Sequence, residues 1–121
     1  MRARDRRPAP KTAAPEERRL QARFKIEVGI TISCRTAGTM RGHTVDISES
    51  GISAILAIEV PVDELVELNF TVPLGKVSIY AMVRQRTAFR YGFQFVNSEA
   101  IRDLIRPTCR QLAVEQALLE V

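Results

Sequence analysis

Apolar and polar residues alternate along most of the stretch from Lys25 to Val96, and the alternation breaks mainly at turn-forming residues. In KIEVGITISCR, residues Ile26, Val28, Ile30, Ile32 and Cys34 fall two apart, which predicts a strand with one buried face. TMRGHTVDIS predicts a second strand with Val45 and Ile47 inward, and GISAILA a third that ends before Pro61. ELVELNFTV points Val66, Leu68, Phe70 and Val72 to one side. Val72-Pro73-Leu74-Gly75 has the proline and glycine placement of a type I turn. KVSIYAMVRQR then carries Val77, Ile79, Ala81 and Val83 on one face, and FRYGFQFV carries Phe89, Tyr91, Phe93 and Phe95. Six short strands without βαβ spacing predict a mainly β fold, a small antiparallel barrel or sandwich.

From Ser98 the period changes. Ile101, Leu104, Ile105, Thr108 and Leu112 recur at helical spacing, with Ser98 as the expected N-cap and Glu99 and Asp103 in the first turn. Pro107 falls inside this pattern and is expected to kink or interrupt the helix. Beyond it Val114, Ala117, Leu118 and Val121 form a separate stripe, suited to a partner such as a second copy of the chain, or to the chain's own barrel.

The segment before the first strand has another character. Residues 1–17 hold three of the six prolines and no large aliphatic side chain apart from Met1, so they are expected as a disordered arm. The compact unit is then expected over residues 18–112, with 113–121 as a helical extension. The net charge is +4, yet residues 1–23 alone carry eight basic residues against three acidic ones. The rest of the chain is nearly neutral, so any attraction for anions belongs to the arm. No apolar run approaches the roughly 20 residues that span a bilayer, and the N-terminus lacks the apolar core of a secretory signal. These features predict a cytoplasmic protein without membrane insertion. Cys34 and Cys109 form no CxxC pair and are expected as reduced thiols.

The usual catalytic patterns are missing, which points to a protein that binds without catalysis. His43 lies an odd number of residues from Asp46, so a regular strand sends the two to opposite faces, and Ser48 lacks a GxSxG elbow. One histidine and two scattered cysteines predict no metal site. Asp63 and Glu64 are adjacent and read as a solvated loop, and no glycine-rich phosphate loop leads into a helix.

Two short strings remain. VDISESG, Val45 to Gly51, places Asp46 and Ser48 on the outward face at a strand end, three residues before a glycine that can turn or admit a close neighbour. RRLQARF, Arg18 to Phe24, places Arg19 and Arg23 four apart just before the first strand. Arg-x-x-x-Arg followed by Asp-x-Ser-x-x-Gly between strands two and three resembles the PilZ domain family. The resemblance extends over roughly Glu17 to Leu112 and includes Val83-Arg84 and the YGFQF strand.

The resemblance implies a six-stranded antiparallel β-barrel with a C-terminal α-helix that binds cyclic di-GMP and has no enzymatic cofactor. The residue types suit that ligand. An arginine fork matches a phosphate or the O6/N7 edge of guanine, and a carboxylate accepts from the N1–H and N2–H₂ donors. The implied ligand set is Arg18, Arg19, Arg23, Asp46, Ser48 and Gly51, with outward-facing Arg84 either stacking on a base or solvated. Arg18, directly before the first motif arginine, implies two intercalated messengers per chain. The arm is expected to order over the ligand and so change what an unidentified downstream protein can touch. Two alternatives stay open: a messenger-independent adaptor with the same barrel, and single-stranded nucleic-acid binding. The inward aromatics and near-neutral domain speak against a nucleic-acid polymer.

Overall fold

A computed structural model describes residues 22–119. Arg18, Arg19, the expected arm over 1–17 and Val121 lie outside the described residues. Seven strands follow in order: β1 (Phe24–Lys25), β2 (Gly29–Cys34), β3 (Gly38–Ile47), β4 (Gly51–Leu56), β5 (Leu65–Val72), β6 (Gly75–Thr87) and β7 (Arg90–Phe95). A 3₁₀ turn over Ser98–Ile101 leads into helix α1, Arg102–Leu119. All strand pairs are antiparallel, and β3-β2-β5-β6-β7-β4 closes on itself through the β3–β4 pairing. The architecture is a closed six-stranded barrel with β1 outside it, paired to the end of β3.

The period-two pattern predicted from the chain fills the barrel. Ile30, Ile32, Ile52, Ala54, Val66, Leu68, Val77, Ala81, Val83, Tyr91 and Phe93 are all buried inside it. Helix α1 covers one side with Ile105, Thr108 and Cys109, while Leu104 and Leu112 pack partly buried against the core. Both cysteines are free and buried.

Several expectations need correction. The first predicted strand is two, because the chain is irregular between Lys25 and Gly29. Buried Thr44 bridges that gap: its hydroxyl donates to Ile26 O and accepts from Val28 N at 2.9 Å. Thr44 can do so because the register of β3 against β4 shifts between Thr44 and Asp46. Val45 is the extra residue of this bulge. Thr44 therefore faces the core where Val45 was expected, and His43 and Asp46 share the outer face instead of opposing it. Phe89 does not join the inward aromatics. It sits 61% exposed in the β6–β7 turn, after Ala88 at φ 55°.

The helix also departs from its prediction. Asn97, in the left-handed region at φ 58°, holds the cap position without a side-chain bond, and Ser98 opens the 3₁₀ turn. Pro107 lies inside α1, yet the helix continues through it without interruption to Leu119. Thr108 Oγ1 donates to Leu104 O at 2.6 Å in the same turn. Val114 and Leu118 are exposed. No helix among the described residues is long and apolar enough to cross a membrane.

Candidate functional site

The bulge in β3 sets the outer surface at the end of that strand. The register aligns Asp46 with Ser53 of β4, and Ser53 with Gly92 of β7. Three short side chains in a row leave a low floor across three strands. After Ile47 the chain turns tightly, with Ser48 N–H donating to Gly51 O at 2.9 Å and Ser50 N–H donating to Ser48 Oγ at 3.3 Å. Phe95 N–H also donates to Ser50 O at 2.8 Å, which ties the corner to β7. Gly51 is needed here for close approach: a Cβ on it would lie 2.3 Å from Phe93 O.

Arg23 reaches this floor from the outside strand. β1 pairs with β3 through Phe24↔Ile47 and Lys25↔Asp46, so the preceding residue arrives above the Asp46–Ser53 row. The Arg23 guanidinium donates from Nε to Asp46 Oδ1 at 2.9 Å, from Nη1 to Ser48 Oγ at 3.3 Å and from Nη2 to Ser53 Oγ at 3.2 Å. Its Nη2 also lies 2.8 Å from Asp46 Oδ1. The other carboxylate oxygen, Oδ2, accepts from Arg90 Nη2 at 2.8 Å. Asp46, with its side chain only 16% exposed, is thus gripped by two arginines. One carboxylate between two guanidiniums leaves the cluster a net cation, suited to an anionic ligand.

Of the residues expected in the site, Arg23, Asp46, Ser48 and Gly51 come together. Ser48 differs from expectation in being fully buried at the base of the corner, not turned outward. Arg84 stands apart, three strands around the barrel from Asp46. It lies where the register of β6 against β7 shifts, donates to Gln94 Oε1 at 2.7 Å and faces Asp63 at 3.6 Å. Two members of the cluster were missed. Ser53 occupies the outward position of GISAIL two residues after Gly51, a signal present in the alternation. Arg90 belongs to FRYGF, and only the β4–β7 register brings it to Asp46.

A comparison with known protein families matches the PilZ domain over residues 17–107, three quarters of the chain. The chain belongs to the PilZ domain family. The fold of this PilZ domain also matches solved structures. Escherichia coli YcgR in complex with c-di-GMP is 19% identical at a TM-score of 0.70, covering 85% of this chain and 49% of that one. The isolated PilZ domain of YcgR with c-di-GMP is 17% identical at a TM-score of 0.61, covering 83% of this chain and 97% of that one. The Bacillus subtilis inhibitor of motility, MotI or DgrA, is 15% identical at a TM-score of 0.62, covering 75% and 49%. The PilZ chain thus spans about half the length of MotI and of the longer YcgR structure, and nearly all of the isolated YcgR domain. A search of curated proteins finds no match.

Proposed function

We propose that this PilZ domain is a non-enzymatic receptor for cyclic di-GMP, and that ligand occupancy alters its contacts with a downstream protein in the cytoplasm. The observation that carries the proposal is the convergence of Arg23 with Asp46 and Ser48, residues separated by 23 and 25 positions in the chain. Family membership and the two YcgR structures with c-di-GMP support it.

The chemistry follows from the hydrogen-bond inventory. A guanine presents N1–H and N2–H₂ side by side, and a carboxylate is the acceptor that meets both. Asp46 Oδ1 is held by Arg23, which Ser48 of the corner and Ser53 of β4 also hold. Oδ2 is held by Arg90 through a single interaction, and the Arg90 side chain is 51% exposed. Arg90 is therefore the partner that yields to the guanine edge, after which its guanidinium is free to pair with a phosphate. The row of Asp46, Ser53 and Gly92 leaves room for a flat base above it. Arg18 and Arg19 join from the arm and add charge-assisted hydrogen bonds that offset its ordering entropy. Two stacked messengers per chain suit this number of arginines. Arg84 contributes from a separate part of the surface, or remains solvated.

Calorimetric titration with cyclic di-GMP, against cyclic di-AMP and GTP, tests the proposal. Saturable binding of cyclic di-GMP alone is expected, at two per chain. Arg23→Ala and Asp46→Ala should each lose at least ~1.5 kcal/mol of binding free energy, the scale of a hydrogen bond to a charged group. Wild-type affinity in both variants would refute the clamp. No binding by the wild-type chain would leave the messenger-independent adaptor.

A further inference from the structure

We infer that Gln116, on the far half of α1, is a positioning residue for the ligand site. This rests on the receptor function proposed above. The reason lies in how weakly β1 is otherwise held. β1 is two residues long and sits outside the barrel, and the chain that follows it is irregular up to Gly29. So short a strand has little stability of its own. Yet it delivers Arg23, the residue that joins Asp46, Ser48 and Ser53.

One edge of β1 faces β3, and just beyond the strand Ile26 N–H donates to Val45 O at 3.1 Å. Lys25, directly opposite Asp46 in the register, spends its backbone groups elsewhere. Its N–H donates to Gln116 Oε1 at 3.3 Å, and its carbonyl accepts from Gln116 Nε2 at 2.9 Å. The carboxamide of Gln116 thus reproduces a rung of a β-ladder on the outer edge of β1. The strand is pinned between β3 and α1, and Arg23 is two residues from the pin. A glutamine matches this task because its terminal amide carries a donor and an acceptor side by side, as a peptide group does.

The same helix also touches the other half of the site. Arg106 Nε donates to Glu49 Oε1 at 3.2 Å, and Glu49 lies in the turn between Ser48 and Gly51. α1 therefore spans from the corner that carries Ser48 to the strand that directly follows Arg23. Gln116 sets the second of these in place before any ligand arrives, so less ordering is left to binding. Gln116 touches no ligand group. It acts through the backbone of β1.

The test is a double-mutant cycle read by calorimetry with cyclic di-GMP: wild type, Gln116→Ala, Arg23→Ala and the pair. Alanine keeps the helix, and the bonds lost are neutral, so Gln116→Ala should weaken binding about fivefold. The same change in the Arg23→Ala background should have no further effect, because nothing is left to position. An unchanged or tightened affinity in Gln116→Ala overturns the inference, and so does an equal loss in both backgrounds, which marks a general structural defect. Amide exchange without ligand supplies an independent readout. Lys25 N–H should exchange faster in Gln116→Ala than in wild type, and equal rates overturn the inference. A wild-type chain that binds no cyclic di-GMP refutes the receptor function alone, and the exchange rates still decide for or against Gln116.

Discussion

Asp46 is the residue on which the site turns, because both of its oxygens are committed to arginines, Arg23 just before β1 and Arg90 of β7. Gly51 matters for a different reason. Its missing side chain lets the corner press against the backbone of Phe93. Gly51→Ala forces a Cβ into a carbonyl oxygen that a paired strand holds in place, and overpacking of this kind costs about 1–3 kcal/mol. A urea midpoint lowered to match is the expected result. Glu64 carries a pH-linked contribution at the other end of the barrel. The Cys34 thiol donates to its Oε2 at 3.0 Å, and the Thr36 hydroxyl and N–H add two more bonds. These donors, Cys34 first, hold the carboxyl below its ordinary 4.5 against partial desolvation, with Arg35 adding a smaller pull. A depressed folded pKa means the stabilisation is complete above 4.5 and fades as pH drops through the folded value. The melting temperature should therefore fall more steeply from about pH 6 to about pH 3 in wild type than in Glu64→Gln.

At the scale of elements, the barrel strands were legible because half-buried strands repeat every two residues, and β5, β6 and the buried residues of β7 follow that rule. β3 broke it at Val45. A bulge inserts one residue without any compositional mark, and the alternation on one side of it is out of step with the alternation on the other, so that Thr44 and His43 point opposite to what Asp46 and Ile47 imply. The opposed His43 was a casualty of that one residue, whereas Ser48 is buried because the chain leaves the strand after Ile47 and turns, with its N–H on Gly51 O. Asp46 kept its outward direction, and so did its place in the motif. Pro107 misled for a physical reason too, since proline removes a single helical bond and α1 tolerates the loss. Arg90 was hidden because its relation to Asp46 exists only across strands. The irregular link between β1 and β2 depends on buried Thr44, which satisfies Ile26 O and Val28 N with one hydroxyl. Thr44→Val keeps the shape and orphans both groups, so it should destabilise the fold by about 2 kcal/mol in chemical denaturation.

The whole molecule joins a closed, rigid body to a flank held at few points. The six barrel strands pair all the way round, whereas β1 and the corner are braced by α1 through Gln116 and Arg106. The two thiols sit on different elements, Cys34 at the end of β2 and Cys109 on α1, and both are buried. Burial pushes the Cys109 thiol up to about 11, with Glu49 adding to the shift and Arg23 opposing it. Cys34 spends its proton on Glu64. Both sulfurs are buried away from solvent, so native protein should take up no maleimide until it is unfolded, when two equivalents should react. The molecule is in effect silent to thiol dyes as it stands. A single cysteine introduced at exposed Ala22 would be its one labelling point, and a fluorophore there would watch the flank move without any change to the barrel beneath it.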